Sequence, residues 1–512
     1  MKRLSHFLAF LFVALPFALQ CQTKQIKNLD TYLEKAMLDW GVPGMEVLIV
    51  KDGEVLLEKG YGVRNTETNE PVTENTLMAI ASNTKAFTTA SLSMLVDEGK
   101  ISWTDKVVDY LPYFKMYDPY VTQEFTIEDL VTHRSGLATF SGDLLWYGTT
   151  HSRVEVIKRA QFLKPVRGFR EGYGYQNIMF TAAGEVIAAV SGMSWEDFVK
   201  QRILTPIGME RTLTSTLEMK NGMDVSSPHN YKFEKQIPIE WINWDNMSAA
   251  GSIISSVSEM KEWLFTQLNS GIHNSDTLWS ASRTAEMHSV KTAKGISNWS
   301  KKNFPSKTFS GYGLGWDIFN YHGQKVVNHG GGYDGFISKV ALVPEENLGI
   351  VILTNTNTWI TAPLTYQILD EFLSDSKKKK DWSEFYLDIK NQVDAADAAD
   401  LKKLEESQVL DTKTSLDIKE YAGTYNSEMY GDLTLRVIGD QLAFQFEPTP
   451  IFRGTIRHWH YDTFRLNWGT QMMLPSGFMT FILNAEGKVA EVKVDVPNPD
   501  FDFTELEFKK VE

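Results

Sequence analysis

A chain of 512 residues exceeds one ordinary core, and at roughly 100–200 residues per domain it divides into two or three units. Apolar residues at 43% and charged residues at 23% match soluble globular usage and exclude a disordered or fibrous chain. The formal charge of −14 leaves no broad cationic field for phosphates, so nucleic acid is not expected as a partner.

At the amino terminus, Lys2 and Arg3 precede an apolar run from Phe7 to Leu19, short for a bilayer span but of the length of a signal-peptide core. Residues 1–21 are therefore expected to be a signal peptide, and the protein to be exported to the periplasm. Cys21, the only cysteine, follows directly, so no internal disulfide is available. Its position resembles that of a lipidated lipoprotein cysteine, although Gln20 stands where a small residue usually precedes it. Lipidation with membrane attachment and simple cleavage nearby both stay open.

Further on, Tyr32 to Leu38 reads as a short amphipathic helix. Met45 to Val50 and Glu54 to Lys59 read as a hairpin turning at Lys51-Asp52-Gly53. Helical stretches follow at Ala86 to Glu98, Thr181 to Ser191 and Ser258 to Leu268, broken by glycine-rich and aromatic loops. Strands return at Lys325 to Val327, Phe336 to Val343 and Gly349 to Thr354, before a helix from Thr365 to Leu373. Strands at both ends with helices between predict a mixed α+β domain over 24–373, whose sheet is completed by distant pieces. Composition then shifts: Lys377 to Lys380 stand in a row, followed by Ala- and Asp-rich sequence, which predicts a linker with some helix over 374–415. Beyond it, Leu433 to Val437, Gln441 to Phe446, Thr463 to Trp468, Phe478 to Leu483, Val489 to Val494 and Phe503 to Phe508 are short, alternating and turn-separated. That pattern predicts a small all-β barrel-like domain over 416–512.

The first chemical signal is Ser82-Asn83-Thr84-Lys85, whose spacing puts a hydroxyl and an ammonium on one helix face about a turn apart. Chance supplies roughly two or three such pairs in a chain this long, and Ser258 with Lys261 and Ser374 with Lys377 repeat it. Around Ser82, however, Leu77 to Ala81 and the small apolar residues after Lys85 predict a buried helix. A lysine entering it is costly unless paired or neutralised, and a neutral lysine can take a proton from serine. The competing reading is a helix-capping serine followed by a lysine whose stem packs and whose head reaches water.

Ser82-x-x-Lys85 resembles the first motif of the serine β-lactamase and penicillin-binding protein superfamily, and two more follow in that family's order. Tyr175-Gln176-Asn177 is similar to its Tyr-x-Asn motif, and His329-Gly330-Gly331 to the His-x-Gly form of the third. Thr132-His133-Arg134-Ser135-Gly136-Leu137, Ala250-Gly251 before Ser255-Ser256, and Tyr312-Gly313-Leu314-Gly315-Trp316 match as supporting segments. The resemblance spans Leu29 to Leu373 and implies an antiparallel sheet flanked by helices plus an all-α subdomain, with a small β-domain appended. It also implies a class C-like serine hydrolase acting on a small-molecule or peptide substrate through an acyl-enzyme.

The resemblance makes Ser82 the nucleophile, and Lys85 and Tyr175 its activating partners. Tyr175, between Gly172 and Gly174 and the next motif position, could place a phenol beside Lys85, where an ammonium favours phenolate. Asn177 offers an amide donor and acceptor to substrate and lysine. His329-Gly330-Gly331-Gly332, read as lying between strands, lets substrate approach the backbone closely at Gly331. By position in the family, the N–H groups of Ser82 and Gly332 form the oxyanion hole. His329 departs from the lysine common in the antibiotic-binding branches, and histidine is largely neutral at pH 7. That favours an esterase, D-aminopeptidase or amidase over a dedicated penicillinase. A protein that binds penicillin or cell-wall peptides with little turnover is the alternative. There is no His-Glu-x-x-His, cysteine cluster or calcium loop, so no metal and no cofactor is expected. His458-Trp459-His460 lacks a third ligand, and a Gly-x-Ser-x-Gly elbow is absent.

Overall fold

Continuous apolar runs such as Leu348–Thr354 need cover on both faces of a sheet, and the fold supplies it. In the computed structural model, residues 23–511 are described except 233, 375, 377, 378 and 470–472. The expected signal segment, Cys21, and Lys377 and Lys378 of the lysine run lie outside the described residues.

Helix α1 covers 23–39, beginning before the expected Tyr32 because Leu29 also packs into the core. Strands β1 (Gly44–Lys51) and β2 (Glu54–Gly62) form the hairpin, with Asp52 and Gly53 both at positive φ in its turn. Helices α2 (Thr84–Asp97), α3 (Asn177–Ser191) and α4 (Val257–Leu268) follow. Six more strands come next: β3 (Thr292–Ala293), β4 (Ser310–Tyr312), β5 (Asp317–Tyr321), β6 (Gln324–Tyr333), β7 (Phe336–Val343) and β8 (Leu348–Thr354). Helix α5 (Thr361–Leu373) closes this part. All eight strands join one antiparallel sheet in the order β2-β1-β8-β7-β6-β5-β4-β3, so the hairpin pairs with the last strand, for example Val47 with Ile352.

Strand alternation splits the apolar runs between two cores. Val47, Ile49, Ile350 and Ile352 pack with Leu33 of α1 and Leu364 and Ile368 of α5. Leu48, Val351 and Leu353 face the opposite side, with Phe87 of α2 and Trp263 of α4, whose rings stack at 3.8 Å. Helices α2 and α3 and the turn Ser248–Gly251 form the all-α part on that side.

Strand β6 is longer than the expected Lys325–Val327 and takes in the whole His329–Gly332 motif, which lies on the strand and not between strands. Three glycines carry no alternation to read, but register with β7 (Gly330 opposite Lys339, Gly332 opposite Ile337) holds them extended. The segment 374–415 contains a 25-residue helix, α6 (Trp382–Glu406). Its start is anchored by Trp382 Nε1 donating to Asp370 at 2.7 Å and by the Trp382 ring stacking on Phe304.

The remaining strands, β9 (Gly423–Ser427), β10 (Gly431–Ile438), β11 (Gln441–Phe446), β12 (Arg453–His460), β13 (Thr463–Trp468), β14 (Phe478–Leu483), β15 (Val489–Asp495) and β16 (Phe508–Lys510), close an antiparallel barrel. The expected strand Phe503–Phe508 is instead a 3₁₀ turn, Phe503–Glu505, before β16. Asp502 accepts from Thr504 N at 2.9 Å and starts the turn, while buried Leu506 and Phe508, two residues apart, supply the alternation seen in the sequence.

One buried carboxylate organises the loops below the site. Asp129 accepts from Arg134 Nε and Arg170 Nη2, each at 2.6 Å, and caps its own turn through Thr126. Arg170 N then donates to Arg134 O (2.8 Å) and Gly174 N to His133 O (2.9 Å), zipping the loop that carries Tyr175 onto the 133–137 segment. Burial pushes the Asp129 carboxyl up, but Arg170, Arg134 and Thr126 outweigh it and hold it below the usual range. Asp129→Asn is expected to cost about 2 kcal/mol, less than a fully buried pair because Arg170 is half exposed. The carboxylate contribution is present above the unfolded value of about 3.9 and is lost as pH falls through the lowered folded value. Thermal unfolding between pH 2 and 7 checks both, the variant showing a smaller loss of stability over the acid part of that range.

Candidate active site

Ser82 sits in the single 3₁₀ turn Ala81–Asn83 that runs into α2, so Lys85 projects inward one turn later. The preceding Ala81 has φ +48°, a left-handed conformation that costs an alanine of order 1–2 kcal/mol and survives only where packing over-determines it. Such strain turns the serine out toward a cleft while its neighbours Ile80 and Ala81 are fully buried.

Lys85 is wholly buried, and its amine is surrounded by three oxygens. Nζ lies 3.0 Å from Ser82 Oγ, 2.7 Å from Asn177 Oδ1 and 2.9 Å from the Ala250 carbonyl. None is an anion, so burial dominates and pushes the amine well below its ordinary value, opposed by the charge of Asp143. Asp143 reaches the lysine only through Asn177, whose Nδ2 donates to Asp143 Oδ2 at 2.7 Å, while Trp146 Nε1 donates to the other oxygen at 2.9 Å. Burial lifts the Asp143 carboxyl to about 7 despite these bonds.

Tyr175 enters from the Asp129-clamped loop. Its N–H donates to Thr139 Oγ1 at 3.2 Å, Ser82 acts on its phenol to favour the ionised form, and Lys85 Nζ lies 4.7 Å from its ring centre. The ammonium expected to favour phenolate is not the dominant influence: burial raises the phenol well above its ordinary value, and only Ser82 opposes it. An amine whose charged form burial disfavours and a neutral phenol therefore flank the serine.

His329 lies on β6 with Nδ1 2.6 Å from the Gly330 carbonyl and Nε2 3.0 Å from Tyr312 OH. The carbonyl can only accept, so Nδ1 carries the proton and Nε2 accepts from the tyrosine. Burial lowers this imidazole to about 3, leaving it neutral at any ordinary pH. His133, also buried and neutral, accepts at Nδ1 from Gln176 N (3.0 Å) and stacks on Tyr175 with ring centres 4.2 Å apart. It positions the loop of Tyr175.

Pairing of β6 with β5 ends at Asn328, so among the described residues His329–Tyr333 pair with β7 alone and offer their other edge to Ser82. A Cβ on Gly331 would stand 2.3 Å from Ile80 O and 3.0 Å from Ala81 Cβ, so only glycine allows the strand this close to the serine turn. Gly332 is exposed at the same edge and lines, with Ser82, Tyr175, Asn177 and His329, a cleft of 840 Å³. Ser82, Lys85, Tyr175, Asn177, His329, Gly331 and Gly332 thus meet at one place, whereas Lys261 pairs with Glu58 elsewhere. No motif marks Asp143, Thr139 or Trp146, nor the barrel residues Leu474 and Phe501 that line the same cleft. Those contacts are made by residues far apart in the chain with no motif spacing.

A family model described as Beta-lactamase matches residues 29–370. The chain belongs to the β-lactamase family. Residues 407–510 match a second model, a domain of unknown function (DUF3471), which covers the barrel. Among related sequences, an unguisins hydrolase of Aspergillus campestris is 29% identical over 431 residues, covering 78% of this chain and 76% of its own. Protein flp of Staphylococcus aureus is 27% identical over 343 residues, with 65% of this chain and 63% of its own covered. Two solved structures share the fold. An octameric penicillin-binding protein homologue from Pyrococcus abyssi has TM-score 0.62 and 21% identity, over 95% of this chain and all of its own. A class C β-lactamase has TM-score 0.56 and 19% identity, over 70% of this chain and 98% of its own.

Gly331→Ala is expected to force β6 away from the Ile80–Ser82 turn and to lower turnover of an activated ester by more than about 100-fold, as for loss of oxyanion contacts. Steady-state kinetics on p-nitrophenyl acetate, with the unfolding midpoint measured alongside, checks it; the midpoint should fall by only a few degrees.

Proposed function

We propose that the protein is a serine hydrolase that works through an acyl-enzyme on Ser82. The observation that carries this is a buried, charge-depleted amine, Lys85, 3.0 Å from the hydroxyl of Ser82 at the floor of an open cleft. As Ser82 Oγ attacks a substrate carbonyl carbon, its proton passes to Lys85 Nζ, and Asn177 and the Ala250 carbonyl hold the resulting ammonium. Negative charge developing on the carbonyl oxygen is received by the N–H groups of Ser82 and Gly332. The leaving group departs with a proton relayed from Lys85 through the Tyr175 hydroxyl, a role supported by its place beside Ser82 in the cleft and by burial that keeps it a neutral phenol. Water then attacks the ester, giving its proton back along the same path, and Ser82 is restored.

The substrate is an ester, amide or D-amino acid peptide. A neutral His329 on β6 provides no fixed cation at the position where the antibiotic-binding branches carry lysine, which supports the esterase, aminopeptidase or amidase reading over β-lactam hydrolysis. The name of the unguisins hydrolase is consistent with hydrolysis by a related chain.

Ser82→Ala is expected to abolish release of p-nitrophenol from activated esters, by about 10³-fold or more. Mass spectrometry of the quenched wild type should place the acyl group on the peptide bearing Ser82. Acylation elsewhere would overturn the assignment. A second expectation concerns pH. Only the neutral Lys85 accepts a proton, so kcat/KM rises with pH through the lowered lysine value. Asp143 raises that value, so Asp143→Asn moves the rising limb to lower pH. His329, neutral above about 3, contributes no limb of its own. A pH–rate profile of both proteins reads the direction directly.

A further inference from the structure

The catalytic cleft is not built by the β-lactamase-like domain alone. Leu474 and the segment Asn498–Phe501, both from the barrel, line the same cleft as Ser82. We infer that the barrel is the substrate-selecting wall of this active site, admitting acyl groups with an aromatic or branched apolar substituent that lies against Phe501, Trp146 and Trp244. The inference rests on the serine-hydrolase reading above.

Three observations carry it. First, the barrel is held in place at several of its turns. Glu505 accepts from Gly142 N at 2.8 Å and from the Ser141 hydroxyl. Pro448 O accepts from Thr150 N at 2.7 Å, and Met429 O from Arg159 at the same distance. These anchors bracket residues 143–147, the segment that supplies Asp143 and Trp146 to the site, so the wall and the catalytic groups are registered to each other.

Second, the cleft lining here is a contiguous aromatic cluster in which Trp146, Tyr147, Trp244 and Tyr333 are largely covered and Phe501 is partly exposed. Phe501 lies 4.4 Å from the Tyr147 ring centre and 6.4 Å from that of Trp146; Trp146 lies 5.1 Å from Trp244, and Trp244 4.1 Å from Tyr333, next to Gly332. The Tyr147 hydroxyl donates to Asp334 at 2.6 Å, which fixes its ring, and the Asn498 side chain accepts from the Asp500 and Phe501 N–H groups, which fixes the barrel segment. The exposed part of Phe501, backed by these rings, rewards burial of apolar surface and prefers offset or edge contact with another ring.

Third, the wall lies away from the rings packed around Tyr175, so with Tyr175 serving the leaving group it is left to the acyl group. It flanks Asn177, through Asp143 and Trp146, and the Gly332–Tyr333 end of β6. Tyr175, which serves the leaving group, stands with His133 and His329.

The test uses the full chain and two esters with one leaving group, p-nitrophenyl acetate and p-nitrophenyl phenylacetate. Wild type should favour the phenylacetate in kcat/KM by at least about tenfold, and Phe501→Ala should cut that preference about fivefold or more, chiefly through KM. Phe501→Leu, still apolar, should fall between. Leu474→Ala, which probes the wall from the other barrel segment, gives the same readout should Phe501→Ala fail to fold. A preference unchanged by these variants, including an equal loss for both esters, overturns the inference while leaving Ser82-dependent turnover standing. Ester release in wild type that Ser82→Ala does not reduce would overturn the hydrolase reading and this inference with it.

Discussion

Everything in the site follows from placing one amine where water cannot reach it. A buried ammonium costs several kcal/mol unless an anion compensates, and around Lys85 the partners are a hydroxyl, an amide oxygen and a backbone carbonyl. They satisfy hydrogen bonds without supplying charge. The amine is therefore held closer to its neutral form, and the nearest carboxylate, Asp143, is kept one amide group away by Asn177. A direct Lys85–Asp143 pair would have stabilised the ammonium instead.

That arrangement imposes costs on the surrounding backbone. The serine must leave the helix it introduces, which the left-handed Ala81 achieves, and a strand edge must come within van der Waals contact of the same turn, which Gly331 alone permits. Sheet register then does the remaining positioning: because β6 pairs with β7 residue by residue, Gly332 cannot slide relative to Ser82 without breaking the ladder. On the opposite side, Asp129 and its two arginines hold the base of the Tyr175 loop by charge, and His133 packs on the Tyr175 ring.

The barrel belongs to this same economy of position. Its anchors at Ser141 and Gly142 sit immediately before Asp143, so the carboxylate behind Asn177 is bordered by residues that the second domain grips. Distant parts of the chain thus meet around a few ångströms of chemistry: the amino-terminal hairpin completes the sheet, and the carboxyl-terminal barrel completes the cleft.

What the sequence determined by itself was the set of reactive groups and the kind of domain that holds them. Ser82, Lys85, Tyr175, Asn177 and His329 stand at spacings legible without coordinates, and periodicity distinguished the apolar strands of the sheet from the alternating strands of the barrel. Strand β6 outruns its apolar pattern because glycines have no side chain to alternate, and Phe503–Glu505 turns although buried Leu506 and Phe508 after it keep a period of two. Protonation states and the shape of the cleft were decided by tertiary structure alone. Tyr175 could be read as a phenolate beside a cation until burial reversed the balance, since desolvation depends on what surrounds a group and not on its neighbours in the chain. Asp143, Trp146 and Phe501 reach the site across separations that no local pattern encodes, because only the packed fold sets which distant residues share one dry surface.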